Sequence, residues 1–256
     1  MKTHETSPIL CGTDFSENAA QAATVAGVLA ARMTRPLVLA HVADEFHAHA
    51  ESKKVLDGFL KPVRQRLEVE AERLRKAGAE VDVELLHGSV AEKALTEVAG
   101  RLLPALVVVS AVSKTAFDRW TLGSVSEALA ESVVAPTLVV RDAAPFQAWA
   151  RGERALKILV GADFSANSDA ALRWVAELRK FGPCEVIAAY AAWTPEEASR
   201  LDALGELSLV GNSPVVQSVL ERDIQAKVTG LLGQENVGIK VQGGWGRPDA
   251  QLVGMA

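Results

Sequence analysis

Two short segments carry polar residues where a protein could bind phosphate or sugar. The first is "GTDFS", in which Gly12, Thr13 and Asp14 follow an apolar run. The second is "SAVSKTAFDRWTLGSVSEA" at 110–128, which has a Gly-Ser pair at 123–124 before a helical sequence. A helix N-terminus offers unpaired N–H groups and a positive dipole end to an anion. The second segment therefore predicts a place where phosphate can bind.

A structural role explains the same residues without any ligand. Asp14 is a good helix-capping residue, because its carboxylate can accept from the free N–H groups of the next helix. Ser124 and Glu127 have the spacing of a capping box. From these residues alone, capping and ligand binding both remain open.

Both segments lie within an alternating pattern of strands and helices. Apolar runs predict strands at 7–13, 36–42, 81–86, 105–110 and 135–141, and helical sequences separate them. This order predicts an α/β fold with an open, parallel, doubly wound sheet of five strands. Ligands of such sheets bind beyond the carboxyl ends of the strands, where the strand order reverses. If the first and fourth strands are neighbours, Asp14 and Ser110 meet at one cleft.

The pattern then begins again. "ILCGTDFSENAAQAA" from Ile9 aligns without gaps with "ILVGADFSANSDAAL" from Ile158. A repeat of this length predicts two copies of one domain: 1–142, a linker at 143–156, and a second copy at 157–256. The second copy matches the first only as far as about residue 98. We therefore expect it to be truncated, without a counterpart of the fourth strand, the phosphate loop and the fifth strand.

The chain resembles a tandem member of the universal stress protein family. The resemblance rests on "GTDFS", on "AHV" at 40–42 and on "LGSVSEALAESVVAPTLVVR" at 122–141. It implies the strand order 3-2-1-4-5 in each sheet. It also implies that Gly12, Thr13 and Asp14 lie near a nucleoside, with the Val42 backbone beside the base.

Nucleotide-binding members of the family have a loop of the form G-x2-G-x9-G-[ST]. The final pair falls on Gly123 and Ser124, but the earlier glycines are replaced by Ser110 and Ser113. A serine costs about 1–2 kcal/mol where left-handed geometry is needed, although its hydroxyl can donate to phosphate. Lys114 adds a positive charge to the loop. The predicted nucleotide site thus comprises Gly12, Thr13, Asp14, Val42, Ser110, Ser113, Lys114, Gly123, Ser124, Val125 and Ser126.

Three hypotheses of function follow. The first is a stress-response sensor or regulator that binds ATP or a related adenine nucleotide, with Mg²⁺, in its first domain. The second is a protein-interaction module without nucleotide, because the family contains both binders and non-binders of ATP. The third, an ATP pyrophosphatase, requires a glycine-rich turn where this chain has "GTDFSE". We predict no catalytic residues and weak or no ATPase activity.

Composition limits the partners and the compartment. A net charge of −5 gives no reason to expect nucleic acid or membrane as a partner. Cys11 and Cys184 lie in apolar runs and fit a reducing compartment, so we expect a cytoplasmic protein. His47 and His49 fit a polar loop, and we expect no metal site. The family resemblance implies that last strands pair across an interface, so we expect a homodimer joined through 136–141, in addition to an unknown regulatory protein partner.

Overall fold

The computed structural model describes residues 6–43, 53–87, 90–111, 123–202, 213–244 and 247–255. The chain divides into two compact units, Met1–Arg151 and Gly152–Ala256. Each unit contains one parallel sheet, with five strands described in the first and three in the second.

The first unit alternates strands and helices as the sequence predicts. Its elements are β1 (Ile9–Gly12), α1 (Glu17–Met33), β2 (Leu37–Ala43), α2 (Lys53–Lys76), β3 (Val81–His87), α3 (Ala91–Leu102), β4 (Leu106–Ser110), α4 (Ser124–Ser132), β5 (Thr137–Val140) and α5 (Ala144–Ala150).

The first sheet has the strand order β3-β2-β1-β4-β5, and every pairing is parallel. This confirms the expected α/β fold and the order 3-2-1-4-5. Ile9 of β1 pairs with Leu37 of β2 on one side and with Leu106 of β4 on the other. The strand order therefore reverses between β1 and β4, so their carboxyl ends flank the switch point where ligands of such sheets bind.

Helices cover both faces of this sheet, which explains why β1 and β4 are apolar throughout. On one face, α3 and α4 pack on the sheet, with Leu95 and Leu129 in a core that includes Leu10 and Val107. On the other face, the alanine-rich helix α1 packs on β1, β4 and β5. With both faces covered, a ligand of this sheet is expected at the strand ends of the switch point.

The segment predicted as a linker contains the helix α5, which packs on α1 within the first unit. Trp149 is fully buried there, and the guanidinium carbon of Arg32 lies 5.5 Å from its ring centroid. The Gln21 side chain also accepts a hydrogen bond from the Ala143 amide at 3.0 Å. Burial of the large indole holds this part of the segment on the first unit.

The second unit repeats the first half of the fold. Its strands have the order β6-β7-β8 in parallel, which is consistent with the expected truncated copy. The elements are β6 (Leu156–Gly161), α6 (Ala166–Arg179), β7 (Cys184–Trp193), α7 (Thr194–Arg200), α8 (Pro214–Leu232), β8 (Val237–Gly244) and α9 (Pro248–Met255).

The second sheet is covered less completely than the first. Leu159 pairs with Ile187 as Leu10 pairs with Val38, yet Ile187 is 43 % exposed whereas Val38 is 5 % exposed. Within the described part of the second unit, β6 has a strand neighbour on one side only. The apolar face that α3 and α4 bury in the first unit is therefore partly open here.

Both cysteines are free and buried. Burial, with a smaller effect of the nearby Glu70, raises the pKa of the Cys11 thiol to about 12. Burial also raises the pKa of Cys184. These thiols therefore stay protonated at neutral pH and act as apolar core groups.

No helix in the described part of the chain is long and apolar enough to cross a membrane. The described residues also contain no group of three or more potential metal ligands. His47 and His49 lie outside the described ranges.

Candidate nucleotide site

A cavity of about 130 Å³ lies at the carboxyl ends of β1, β2 and β4. This place is the switch point between β1 and β4, at which the strand order reverses. It is lined by Gly12, Thr13, Asp14, Ala40, His41, Val42, Ala91, Leu95, Val109, Ser110, Val125 and Ser126. Seven residues of the site predicted from sequence thus line one cavity: Gly12, Thr13, Asp14, Val42, Ser110, Val125 and Ser126.

The other predicted residues lie beside this cavity or outside the described ranges. Gly123 and Ser124 begin α4, next to the lining residue Val125. Ser113 and Lys114 lie outside the described residues, so the structure gives no position for them. Sequence reasoning missed Leu95, although the apolar periodicity of α3 marks it as a residue that faces the sheet.

The N-terminus of α4 differs from the capping box expected from sequence. Gly123, not Ser124, is the N-cap, and it makes no side-chain capping bond. The Glu127 amide instead donates to the Gly123 carbonyl at 2.9 Å, so Ser124 already belongs to the helix. Because glycine has no side chain to accept from the first-turn amides, these N–H groups suit an anion.

The two serines near this helix fix its position on the sheet. The Ser126 hydroxyl, which is almost fully buried, donates to the Ser110 carbonyl at 3.1 Å. This bond ties the first turn of α4 to the end of β4. Ser110 is not among the described residues with positive φ. Replacement of glycine by serine at this position therefore carries no left-handed strain.

The turn after β1 is held by bonds on nearly every polar group. The Thr13 amide donates to the Ala40 carbonyl at 2.9 Å, and the Phe15 amide donates to Thr13 Oγ1 at 3.1 Å. The exposed Asp14 carboxylate accepts from the Ser16 amide at 2.9 Å. Ser16 caps α1 by accepting from the Ala19 amide. Asp14 thus takes part in the local turn and also lines the cavity.

Phe15 has a left-handed backbone, with φ of 63°. This conformation costs about 1–2 kcal/mol for a residue with a Cβ, so neighbouring contacts must stabilise it. Arg66 donates to the Phe15 carbonyl at 3.2 Å and lies 4.6 Å from its ring centroid. The His41 ring lies 4.3 Å from the Phe15 ring. We call Thr13, Phe15, His41 and Arg66 the Phe15 cluster.

The protonation of His41 follows from its partner. Its Nδ1 lies 2.7 Å from the Thr13 carbonyl oxygen. A carbonyl can only accept, so Nδ1 carries the hydrogen and donates it. The imidazole therefore fixes the same turn that Arg66 holds through the Phe15 carbonyl.

The second unit contains the same "DFS" turn in a different setting. The Asp163 carboxylate accepts from the Ser165 amide at 2.7 Å, as Asp14 does from Ser16. However, Ala162 stands where the first unit has Thr13, and Tyr190 stands where it has His41. Phe164 is not among the described residues with positive φ. The strained backbone of the first turn is thus absent from the second.

A buried polar cluster lies near this second turn. Glu197 is 4 % exposed and accepts hydrogen bonds from the Tyr190 hydroxyl and, at 2.7 Å, from Arg200 Nε. The Arg200 guanidinium lies 4.7 Å from the Phe164 ring centroid. Burial and the neighbouring Glu197 raise the pKa of Tyr190. These contacts attach α7 to the end of β7 and to the "DFS" turn.

Asp163 should contribute to the acid stability of the second unit. Burial alone would raise its pKa, but bonds from Ser165 and Ser168, with the charge of Lys227, hold the pKa below its ordinary value of 3.8. The stabilisation is therefore complete above that value and is lost as the pH falls through the lowered pKa. We expect Asp163→Asn to flatten the acid limb of a plot of unfolding free energy against pH. Equal slopes in the two proteins would contradict this expectation.

The chain is thus a doubly wound α/β protein with a cavity at the switch point of its first sheet. The profile of the universal stress protein family matches residues 5–141. This is more than half of the 256 residues, so the chain belongs to the universal stress protein family.

Solved structures show similarity over one or both units. A universal stress protein from Archaeoglobus fulgidus DSM 4304 is 18 % identical, with a TM-score of 0.67, and the match covers 98 % of this chain and 83 % of that one. At this identity the likeness shows the fold alone. The comparison with curated proteins gave no match.

Two further solved relatives match about half of this chain. A universal stress protein in complex with cAMP is 26 % identical, with a TM-score of 0.42, over 53 % of this chain and 97 % of its own. An Archaeoglobus fulgidus universal stress protein in complex with dAMP is 18 % identical, with a TM-score of 0.43. The match covers 53 % of this chain and 98 % of that one.

Proposed function

We propose that this universal stress protein binds an adenine nucleotide in its first unit and acts as a cytoplasmic stress sensor or regulator. One observation carries the proposal: a cavity at the β1–β4 switch point adjoins the N-terminus of α4, whose N-cap residue Gly123 makes no side-chain capping bond. Apolar walls suit a base, and the exposed Asp14 carboxylate can accept from a sugar hydroxyl or a base amine. Free first-turn amides suit a phosphate.

The size of the cavity constrains how a nucleotide would lie. About 130 Å³ is below the roughly 300–1,000 Å³ of pockets that enclose a whole drug-sized ligand. The cavity therefore fits the base and part of the ribose, and the phosphates would extend along the start of α4. Any Mg²⁺ would be held mainly by those phosphates. We expect weak or no ATPase activity, because the described residues that line the cavity include no nucleophile hydrogen-bonded to a base.

Calorimetry and thermal shift with ATP, ADP and AMP test this proposal. Because two solved relatives hold cAMP and dAMP, these two ligands belong in the same series. Gly123→Val should abolish binding, since its side chain would enter the space before the first-turn amides. The backbone of Gly123, with φ of −72°, allows valine, so folding should survive. Undiminished affinity in this variant would place the site elsewhere.

We expect at most one nucleotide per chain. The described residues of the second unit include no counterpart of β4 or α4, and thus no helix N-terminus in the place that α4 occupies in the first unit. Each charge-assisted bond from a first-turn amide is worth about 1.5–3 kcal/mol, so a nucleotide at Asp163 would bind weakly. Equilibrium dialysis measures the number of nucleotides bound per chain directly. Two equivalent nucleotides would contradict this asymmetry, and none at millimolar ATP would favour an interaction module that works without nucleotide.

We also propose a homodimer through 136–141. In the described part of the first sheet, β5 pairs with β4 on one side and is only partly buried. An open sheet edge of this kind invites a second strand, and two copies can pair about a two-fold axis. Val139→Lys should convert the dimer to a monomer in sedimentation velocity. A wild-type monomer at tens of micromolar would count against the dimer.

A further inference from the structure

We infer that the Phe15 cluster is a positioning device for Asp14. Arg66 and His41 are its positioning residues: they hold the turn after β1 in a strained form that sets the Asp14 carboxylate at the mouth of the cavity. This inference rests on the proposed nucleotide site. It goes beyond that proposal because Arg66 is not among the residues that line the cavity.

The geometry shows why the two residues act through the turn. Arg66 donates a hydrogen bond to the Phe15 carbonyl and lies over the Phe15 ring. The His41 ring contacts the same aromatic side chain. His41 also donates to the Thr13 carbonyl. The residues on both sides of Asp14 are thus fixed by side chains from β2 and α2. The carboxylate between them has little freedom to turn away from the cavity.

The second unit serves as an internal control. It keeps the aspartate, phenylalanine and serine of the turn, and the Tyr190 ring lies 5.6 Å from the Phe164 ring. It replaces the hydrogen-bond partners, however: Ala162 has no hydroxyl for the Phe164 amide, and the Tyr190 hydroxyl bonds Glu197. Arg200 lies over the Phe164 ring but bonds Glu197. Positive φ occurs only in the turn that has these partners. The same local sequence is therefore strained in one unit and relaxed in the other.

Strained backbone concentrates at functional sites, where the surrounding structure holds it in place. In the first unit, the strained residue directly follows the aspartate that lines the cavity. A merely structural turn could use the relaxed form that the second unit adopts. We therefore infer that the extra contacts of the first unit maintain the position of Asp14.

A stability comparison tests the strain without any ligand. Glycine adopts positive φ more readily than alanine, whereas alanine is the more stabilising residue in ordinary backbone. We expect Phe15→Gly to melt a few degrees above Phe15→Ala, and Phe164→Gly to melt below Phe164→Ala. Both alanine and glycine remove the ring, so the packing loss cancels within each pair. The same order at both positions would overturn the inference.

A double-mutant cycle tests the positioning role. Arg66→Met keeps the apolar stem, and we expect it to weaken AMP binding about threefold to tenfold. A loss of this size lies within the range of interaction energies found between neighbouring residues in double-mutant cycles. In an Asp14→Asn background the same change should have almost no effect, because Arg66 acts through the carboxylate. As a control, Arg200→Met removes the nearer of two cations over the Phe164 ring, the other being Lys227, and should lower the melting temperature without changing AMP affinity.

The outcomes separate this inference from the proposed function. If AMP binds and the effects of Arg66→Met and Asp14→Asn are additive, the positioning role is overturned while the nucleotide site stands. If no member of the nucleotide series binds to the wild type, the proposed function fails and the positioning role fails with it. The glycine–alanine comparison still decides in that case whether the cluster holds a strained turn.

Discussion

Gly12→Val will abolish adenine nucleotide binding while the first unit remains folded. Gly12 lines the cavity, and a Cβ there would lie 3.1 Å from Leu95 Cδ1 and 3.5 Å from Val109 Cγ1. A valine would therefore fill the space that we assign to the base. We expect a loss of roughly 100-fold or more in affinity, since about 3 kcal/mol of lost contacts suffices. Isothermal titration with the tightest nucleotide measures the loss.

The second unit provides a matched control for this substitution. Gly161 occupies the same place in β6, and a Cβ there would lie 3.3 Å from Leu252 Cδ1. Both valines crowd one leucine and should cost about 1–3 kcal/mol of stability by overpacking. Only Gly12→Val should change affinity. Equal losses of binding in both variants would mean that crowding, and not occupation of the cavity, is responsible.

Glu197→Ala will cause the largest loss of stability that we expect in the second unit. The glutamate side chain is 5 % exposed and pairs with Arg200, which is 40 % exposed. Breaking a buried pair costs about 3–5 kcal/mol, and the exposure of Arg200 favours the lower end. Tyr190 is 8 % exposed, and its hydroxyl would also lose its hydrogen-bond partner. For a unit of this size, the melting temperature should fall by roughly 10–20 °C.

Calorimetry of the whole chain can measure this loss, since two units can give separate transitions. Glu196→Ala changes the neighbouring exposed glutamate and should stay within about 0.5 kcal/mol. Tyr190→Phe removes one hydroxyl and leaves the Arg200 pair, so it should cost about 1 kcal/mol. If Glu197→Ala and Glu196→Ala melt alike, the buried cluster does not stabilise α7 and β7 as we argue.

The sequence alone predicted much of the fold, because the relevant signals are local or repeated. Continuous apolar runs such as 105–110 marked strands buried on both faces, and the gapless match of Ile9 with Ile158 marked the second copy. The family resemblance supplied the strand order, which the sheet confirms. It also placed Gly12, Asp14 and Val42 near one ligand, and all three line one cavity.

Tertiary structure alone decided how the site is held. The capping-box spacing of Ser124 predicted the wrong N-cap, because the docking of α4 on β4 makes Gly123 the first residue before the helix. No local pattern links Arg66 to Phe15, since the two are 51 residues apart and meet only when α2 packs beside α1.

The two "DFS" turns show the limit of sequence most clearly. The two turns share the aspartate, phenylalanine and serine and differ at the preceding residue, which is Thr13 in one and Ala162 in the other, yet Phe15 has positive φ and Phe164 does not. A three-residue turn has several accessible backbone forms of similar free energy, so contacts from other elements select among them. In the first unit the selecting contacts come from His41 on β2 and Arg66 on α2, and only the folded sheet brings them to the turn.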